Sequence, residues 1–173
     1  QYFGGTVINK KVTEPVDDDL YATVLAAKDK ETELMKTLHV ADCLTEIFNA
    51  FKRCNKYIDE TEPWVLAKEE AKKDRLSTVL YNLLDCIAVG ATLLKPFLPD
   101  TSAAILSQLN TKEPDFDACS EKGVFVSGTK VVETPDTLFE RRKFDDIMKE
   151  VNRLYKKKKK EENKPETKEV KQS

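Results

Sequence analysis

The sequence predicts an all-α protein: a helical bundle, interrupted late by one short extended or hairpin segment and closed by a C-terminal helix. Three observations predict it. Apolar residues return every three or four positions over most of the chain, the period of a helix with one buried face. Glycine and proline are sparse, five and seven among 173 residues, so few positions force the backbone out of helical geometry. Apolar residues (40%) and charged residues (35%) are both plentiful, as expected where each helix buries one face and solvates the other.

The first helix opens at Asp17-Asp18-Asp19, whose negative charge suits the positive end of a helix dipole. It runs through Leu20, Val24, Ala27, Leu34 and Leu38, with a polar gap in the middle. The second carries a regular apolar stripe of Val40, Leu44, Ile47, Phe48, Phe51 and Ile58. Pro63 starts a short third helix, because a first helical position needs no N–H. The fourth is the most apolar, from Leu76 through Leu80, Leu84 and Ile87 to Leu94, and stops at Lys95-Pro96, where proline pushes its predecessor out of the α region. A short fifth, residues 102–109, takes its cap from Asp100 or Thr101.

From residue 110 to 137 the helical period is lost. VFVSGTKVV reads as a short hairpin turning at Ser127-Gly128. The period returns with Phe144, Ile147, Met148, Val151, Leu154 and Tyr155, and beyond Tyr155 the chain has nothing apolar to bury. Residues 149–173 hold ten Lys/Arg against five Asp/Glu, so the remainder of a chain of net charge −2 is distinctly acidic. The lysine run reads first as a solubilising or linker segment. The alternative is a non-specific phosphate-binding arm whose affinity falls with salt.

Several function classes find no support. No apolar run approaches the roughly 20 residues of a membrane-spanning helix, and no basic-then-apolar leader is present. Cys43, Cys54, Cys86 and Cys119 are too far apart for C-x-x-C, and His39 has no cysteine at metal-ligand spacing. Reduced thiols in a cytoplasmic protein are the expectation. No phosphate-cradling Gly-rich loop, nucleophile elbow or H-E-x-x-H occurs. With a single histidine, general acid–base schemes lack their usual player, and this chain by itself is expected to carry no catalytic residue.

The sole tryptophan, Trp64, follows Pro63 at a helix start. A lone Trp in a helical domain is more often core than surface. Its neighbours offer another reading. Arg53, Asn55, Lys56 and Lys68 flank it, and an aromatic ring near cations is how proteins hold an unstacked base of single-stranded RNA. Residue types and spacing leave both readings open.

The block N-K-Y-I-D-E-T-E-P-W-V-L-A-K, residues 55–68, resembles the signature of the C-terminal anticodon-binding domain of methionyl-tRNA synthetases of bacterial type. The same order continues with L-L-K-P-F-L-P (93–99), S-Q-L-N (107–110), G-T-K (128–130) and P-D-T-L-F (135–139), and Y-F-G-G (2–5) looks like the family's aromatic-Gly segment. The similarity runs from residue 1 to about 142. It implies the anticodon-binding helical bundle of class I aminoacyl-tRNA synthetases. In that family the Trp of the P-W pair stacks on the first anticodon base, which implies that Trp64 is the reader and that Pro63 fixes its backbone. Tyr57 and Ile58 fall on core positions, and Asn55 is expected to bond locally. Arg53, Lys56 and Lys68 are the candidate phosphate contacts.

The resemblance also implies a parent enzyme, an ATP-dependent methionine–tRNA ligase of the cytoplasm. ATP and zinc would then belong to a catalytic domain outside this chain. Residues 1–16 would lead in from that domain, 17–155 would form the anticodon-binding bundle, and 156–173 a Lys-rich linker or tail. The partners implied are the anticodon stem-loop of methionine tRNA, the catalytic domain of the same polypeptide and an OB-type tRNA-binding or dimerisation domain after the linker. The family's other anticodon readers, an Asn and an Arg upstream of the aromatic-Gly segment, have no counterpart here. Phe139-Glu140-Arg141 stands where relatives show Phe-Pro-Arg. Two alternatives accompany this reading: the anticodon domain of a related Ile, Leu or Val synthetase, and a non-catalytic helical adaptor with Trp64 in its core.

Overall fold

Helices α1 (Pro15–Lys36), α2 (Val40–Thr61) and α4 (Lys73–Leu94) have 22 residues each, about 33 Å of helix apiece. They pack against one another in a three-sided bundle, with α3 (Pro63–Leu66) and α5 (Pro99–Gln108) laid against α4. A last helix, α6, spans Phe144–Glu162. The computed structural model describes residues 2–139 and 143–162, in two units, Gln1–Leu138 and Phe139–Ser173. The departure at Glu140 and Arg141, and the tail beyond residue 162, lie outside the described residues.

Leu20 and Val24 of α1, Ile47 and Tyr57 of α2, and Val79, Val89 and Leu93 of α4 fill the interior. The expected stripes supply Leu20, Val24, Ile47 and Val79, whereas Val89 and Leu93 lie off the stripe expected for α4, and Leu38, expected to continue the first helix, falls beyond its end and is exposed. Helix α4 is enclosed on most sides, which is why its sequence is apolar nearly all round. By length and mean hydropathy (1.5), Glu70–Leu94 does qualify as a membrane-crossing candidate, contrary to expectation. However, 83% of that window is buried by the chain's own residues, as befits the central helix of a bundle.

Two local expectations are corrected. Helix α5 begins at Pro99, with Leu98 as its cap and no side-chain capping bond, so neither Asp100 nor Thr101 caps it; both lie within its first turn. Proline's fixed φ already sets the first turn there. The segment around Ser127-Gly128 does turn, with Thr129 N–H donating to the Val126 carbonyl at 3.2 Å, but it is no hairpin. Strand β2 (Thr129–Lys130) pairs antiparallel with strand β1 (Thr6–Val7) from the other end of the unit, Thr6 facing Lys130. Phe125 leaves the turn to enter the core instead. The last helix runs past Tyr155 to Glu162, and Phe144, Leu154 and Tyr155 on it are exposed.

Candidate nucleic-acid interface

Helix α2 ends at Thr61, and Glu62 takes a left-handed conformation (φ 44°, ψ 62°) that turns the chain directly into α3. Glu62 serves both helices. Its N–H donates to the Ile58 carbonyl at 3.0 Å, and its own carbonyl accepts from Val65 N–H at 2.8 Å. Pro63 is the first residue of α3 and is buried, while Leu66, one turn on, packs partly buried against the core. With those two facing inward, Trp64 is turned out and stays 47% exposed. The core reading of Trp64, and with it the adaptor alternative in that form, is therefore corrected.

The flanking cations differ in what they can offer. Arg53 is only 12% exposed, and its Nη1 lies 2.8 Å from Glu60 Oε2. Its Nη2 also donates to the Val16 carbonyl at 3.5 Å, tying α2 to α1. Lys56 stands in solvent, 3.4 Å from Glu60 Oε1, and Lys68 is exposed beyond Trp64. Burial opposes ionisation of Glu60, but the Arg53 hydrogen bond and charge, followed by those of Lys56, hold its carboxyl below the ordinary value. Asn55 does not bond locally. It is exposed and borders a cleft between α2 and α4, because its position on α2 faces out of the bundle.

A buried polar knot beneath this turn escaped the sequence reading. Arg75, in the first turn of α4, grips Asp17 of α1 with two bonds of 2.7 and 2.8 Å. Tyr57 of α2 donates to the same carboxylate at 2.5 Å, and Asn82 of α4 donates to the Tyr57 hydroxyl at 3.3 Å. Burial pushes the Asp17 pKa up, but the bonds from Arg75 and Tyr57 outweigh it and hold it below the usual 3.8. Three helices thus meet on one charge pair. Asp85 forms a second knot, accepting from Tyr21 at 2.9 Å and from the N–H groups of Gly123 and Phe125 at 2.7 and 2.8 Å. The available signal was an Arg, an Asn and an Asp inside the most apolar helix, since buried polar groups must find partners.

The framework that carries this exposed ring matches a known family. Residues 9–159 fit the family model described as the anticodon-binding domain of methionyl tRNA ligase. The chain belongs to that family. A methionine–tRNA ligase of Clostridium perfringens is 40% identical over 154 residues, covering 89% of this chain and 24% of that protein. One from Caldanaerobacter subterraneus subsp. tengcongensis is 40% identical over 172 residues, covering 99% of this chain and 26% of its own. The chain therefore spans about a quarter of the length of the curated relatives it matches. Among solved structures, the free Mycobacterium tuberculosis methionyl-tRNA synthetase superposes with a TM-score of 0.71 at 26% identity, over 80% of this chain and 28% of that one. These matches name methionine rather than the Ile, Leu or Val alternatives. The expected bundle of an anticodon-binding domain is the observed fold. Among the described residues no cluster of His, Cys, Asp or Glu fits a metal ion.

Proposed function

We propose that this chain is the anticodon-binding module of a methionine–tRNA ligase and that Trp64 stacks on an unpaired anticodon base. The observation that supports the reading is the outward indole at the Glu62–Pro63 turn, in a bundle that matches the family model. Stacking on an aromatic face contributes on the order of 1–3 kcal/mol per base. Lys56 and Lys68 are the side chains best disposed to meet backbone phosphates, whereas Arg53 braces Glu60 and α1. Pro63 holds the ring's backbone, and the Asp17–Arg75–Tyr57 knot keeps α2 fixed beneath it.

In this reading the parent polypeptide acts in the cytoplasm. Its catalytic part binds ATP and zinc and joins methionine to the tRNA that this module selects. An OB-type domain after the Lys-rich tail would add further tRNA contacts.

Trp64 is the only tryptophan, so its fluorescence reports on this site alone. The expected result is red-shifted emission that is quenched by a methionine-anticodon stem-loop RNA and not by a stem-loop of another anticodon. Trp64→Ala should weaken stem-loop binding by about 1–3 kcal/mol. Emission indifferent to the cognate RNA, together with unchanged binding by Trp64→Ala, would overturn the proposal.

A further inference from the structure

We infer that Glu62 is the positioning residue for Trp64: its strained left-handed backbone, not its side chain, fixes the direction in which the indole is held out. What the ring is held toward rests on the anticodon reading; the holding itself rests on the geometry of the turn. Glu62 is the only residue between α2 and α3, at φ 44° and ψ 62°. It is thus the single hinge through which the end of α2 orients the turn that carries Trp64. Where α1 gives way to α2, three residues share the reversal, Thr37, Leu38 and His39, and only Leu38 among them has a positive φ (58°).

Two local costs fall on Glu62. A Cβ in the left-handed region crowds the following carbonyl oxygen, so glycine or asparagine is the ordinary occupant. The ring of Pro63 also favours an extended conformation in the residue before it, and Glu62 does not adopt one. Its side chain offsets neither cost. The carboxylate is exposed and makes no hydrogen bond or ion pair among the described residues. The conformation is therefore imposed through the backbone. The Glu62 N–H donates to the Ile58 carbonyl at 3.0 Å and closes α2, while its carbonyl accepts from Val65 N–H at 2.8 Å and from Leu66 N–H at 3.2 Å. Pro63 has no N–H to add, so those two bonds tie the first turn of α3 to the end of α2. Buried Pro63 and partly buried Leu66 pin the inner side of the same turn to the core.

A strained residue persists only where its surroundings over-determine it, and such residues gather at ligand-holding sites. Here the strain accompanies a ring that does not swing. Rotation about the Glu62 ψ angle would turn its carbonyl away from Val65 and Leu66 and carry Trp64 with it. A base that stacks on a ring already held still loses less affinity to ordering that ring. Glu62→Gly would keep the same φ without strain and would also open other directions to the chain. It should therefore give a more stable fold and a poorer platform for a base.

The test compares Glu62→Ala with Glu62→Gly in the intact chain. The two differ only in the Cβ, so the loss of the carboxylate charge cancels. Glu62→Gly should melt roughly 2–4 °C above Glu62→Ala, because the left-handed cost is relieved. Time-resolved anisotropy of the single tryptophan, without RNA, should show a larger fast component in Glu62→Gly, with Glu62→Ala matching the wild type. A methionine-anticodon stem-loop should bind Glu62→Gly about two- to tenfold more weakly than Glu62→Ala. An equally restrained ring in both variants, a Glu62→Gly that melts below Glu62→Ala, or equal affinities where the wild type binds would overturn the inference. A wild-type ring indifferent to the stem-loop would instead overturn the anticodon reading, and melting and anisotropy would still decide the role of Glu62.

Discussion

Glu31 offers the most direct test of how this bundle is held together. It lies on α1 at 3% exposure, and its Oε2 is a buried side-chain oxygen without a hydrogen-bond partner among the described residues. Burial pushes its pKa up from 4.5 to about 7. The folded chain therefore binds this proton more tightly than the unfolded chain does. Stability from this site is complete below pH 4.5 and is withdrawn as pH rises through about 7. A difference of that size corresponds to roughly 3 kcal/mol between the two limits. In Tm this is roughly 6–12 °C for a domain of this size.

Glu31→Gln keeps the shape and cannot ionise, so its stability should not fall across that window. Urea unfolding of both proteins at a series of pH values from acid to mildly alkaline gives the difference directly. Groups remote from residue 31 contribute equally to both curves and cancel. The variant should overtake the wild type as pH rises. Parallel curves across the whole range would mean that Glu31 is solvated or paired in the folded protein, and would refute the reasoning.

Gly90→Ala should destabilise the bundle by about 1–3 kcal/mol from overpacking, offset by up to roughly 1 kcal/mol of helix propensity. The added Cβ would lie 2.7 Å from the Phe51 ring at the α2–α4 contact, and a thermal melt checks the sign. Arg75→Met leaves the Asp17 carboxylate buried without its cation and should cost about 3–5 kcal/mol in chemical denaturation. Asp17 titrates below its usual 3.8 in the fold, so its stabilisation is present above that value and is lost as pH falls through the lower folded one. The arginine variant should lose that extra acid sensitivity. Removing residues 156–173 should weaken binding equally for all RNA sequences and flatten its salt dependence, measured by titration at several ionic strengths. An unchanged salt slope would make the segment a spacer.

Much of the bundle was legible because helix periodicity and helix ends are local properties. Pro63 marks a boundary through its own fixed φ, and the inward stripes of α2 and α4 need only the period of 3.6. Helix α4 does stop at Leu94, but Lys95 keeps right-handed helical geometry (φ −55°, ψ −43°), so the expected displacement of the residue before Pro96 does not occur. The site was legible in a different sense. The P-W block carried the family resemblance, but α3 is a single turn of four residues and has no periodicity to reveal which side faces out. The exposure of Trp64 depended on how Pro63 and Leu66 met α4, a contact between segments. The same holds for Arg53, whose capture by Glu60 and α1 leaves the outer charge to Lys56 and Lys68.

By itself, then, the amino-acid order determined the helical segments and much of the buried face of α1, α2 and α4, since these follow from steric and hydrogen-bonding rules acting within a few residues. Only the tertiary structure decided what distant residues do for one another. It paired Thr6 with Lys130 instead of closing a hairpin, gathered Asp17, Tyr57 and Arg75 from three helices onto one charge pair, and turned Trp64 outward. Those outcomes depend on which side chains happen to share a low-dielectric interior, where an unpaired polar group is costly. That condition does not exist until the helices have packed.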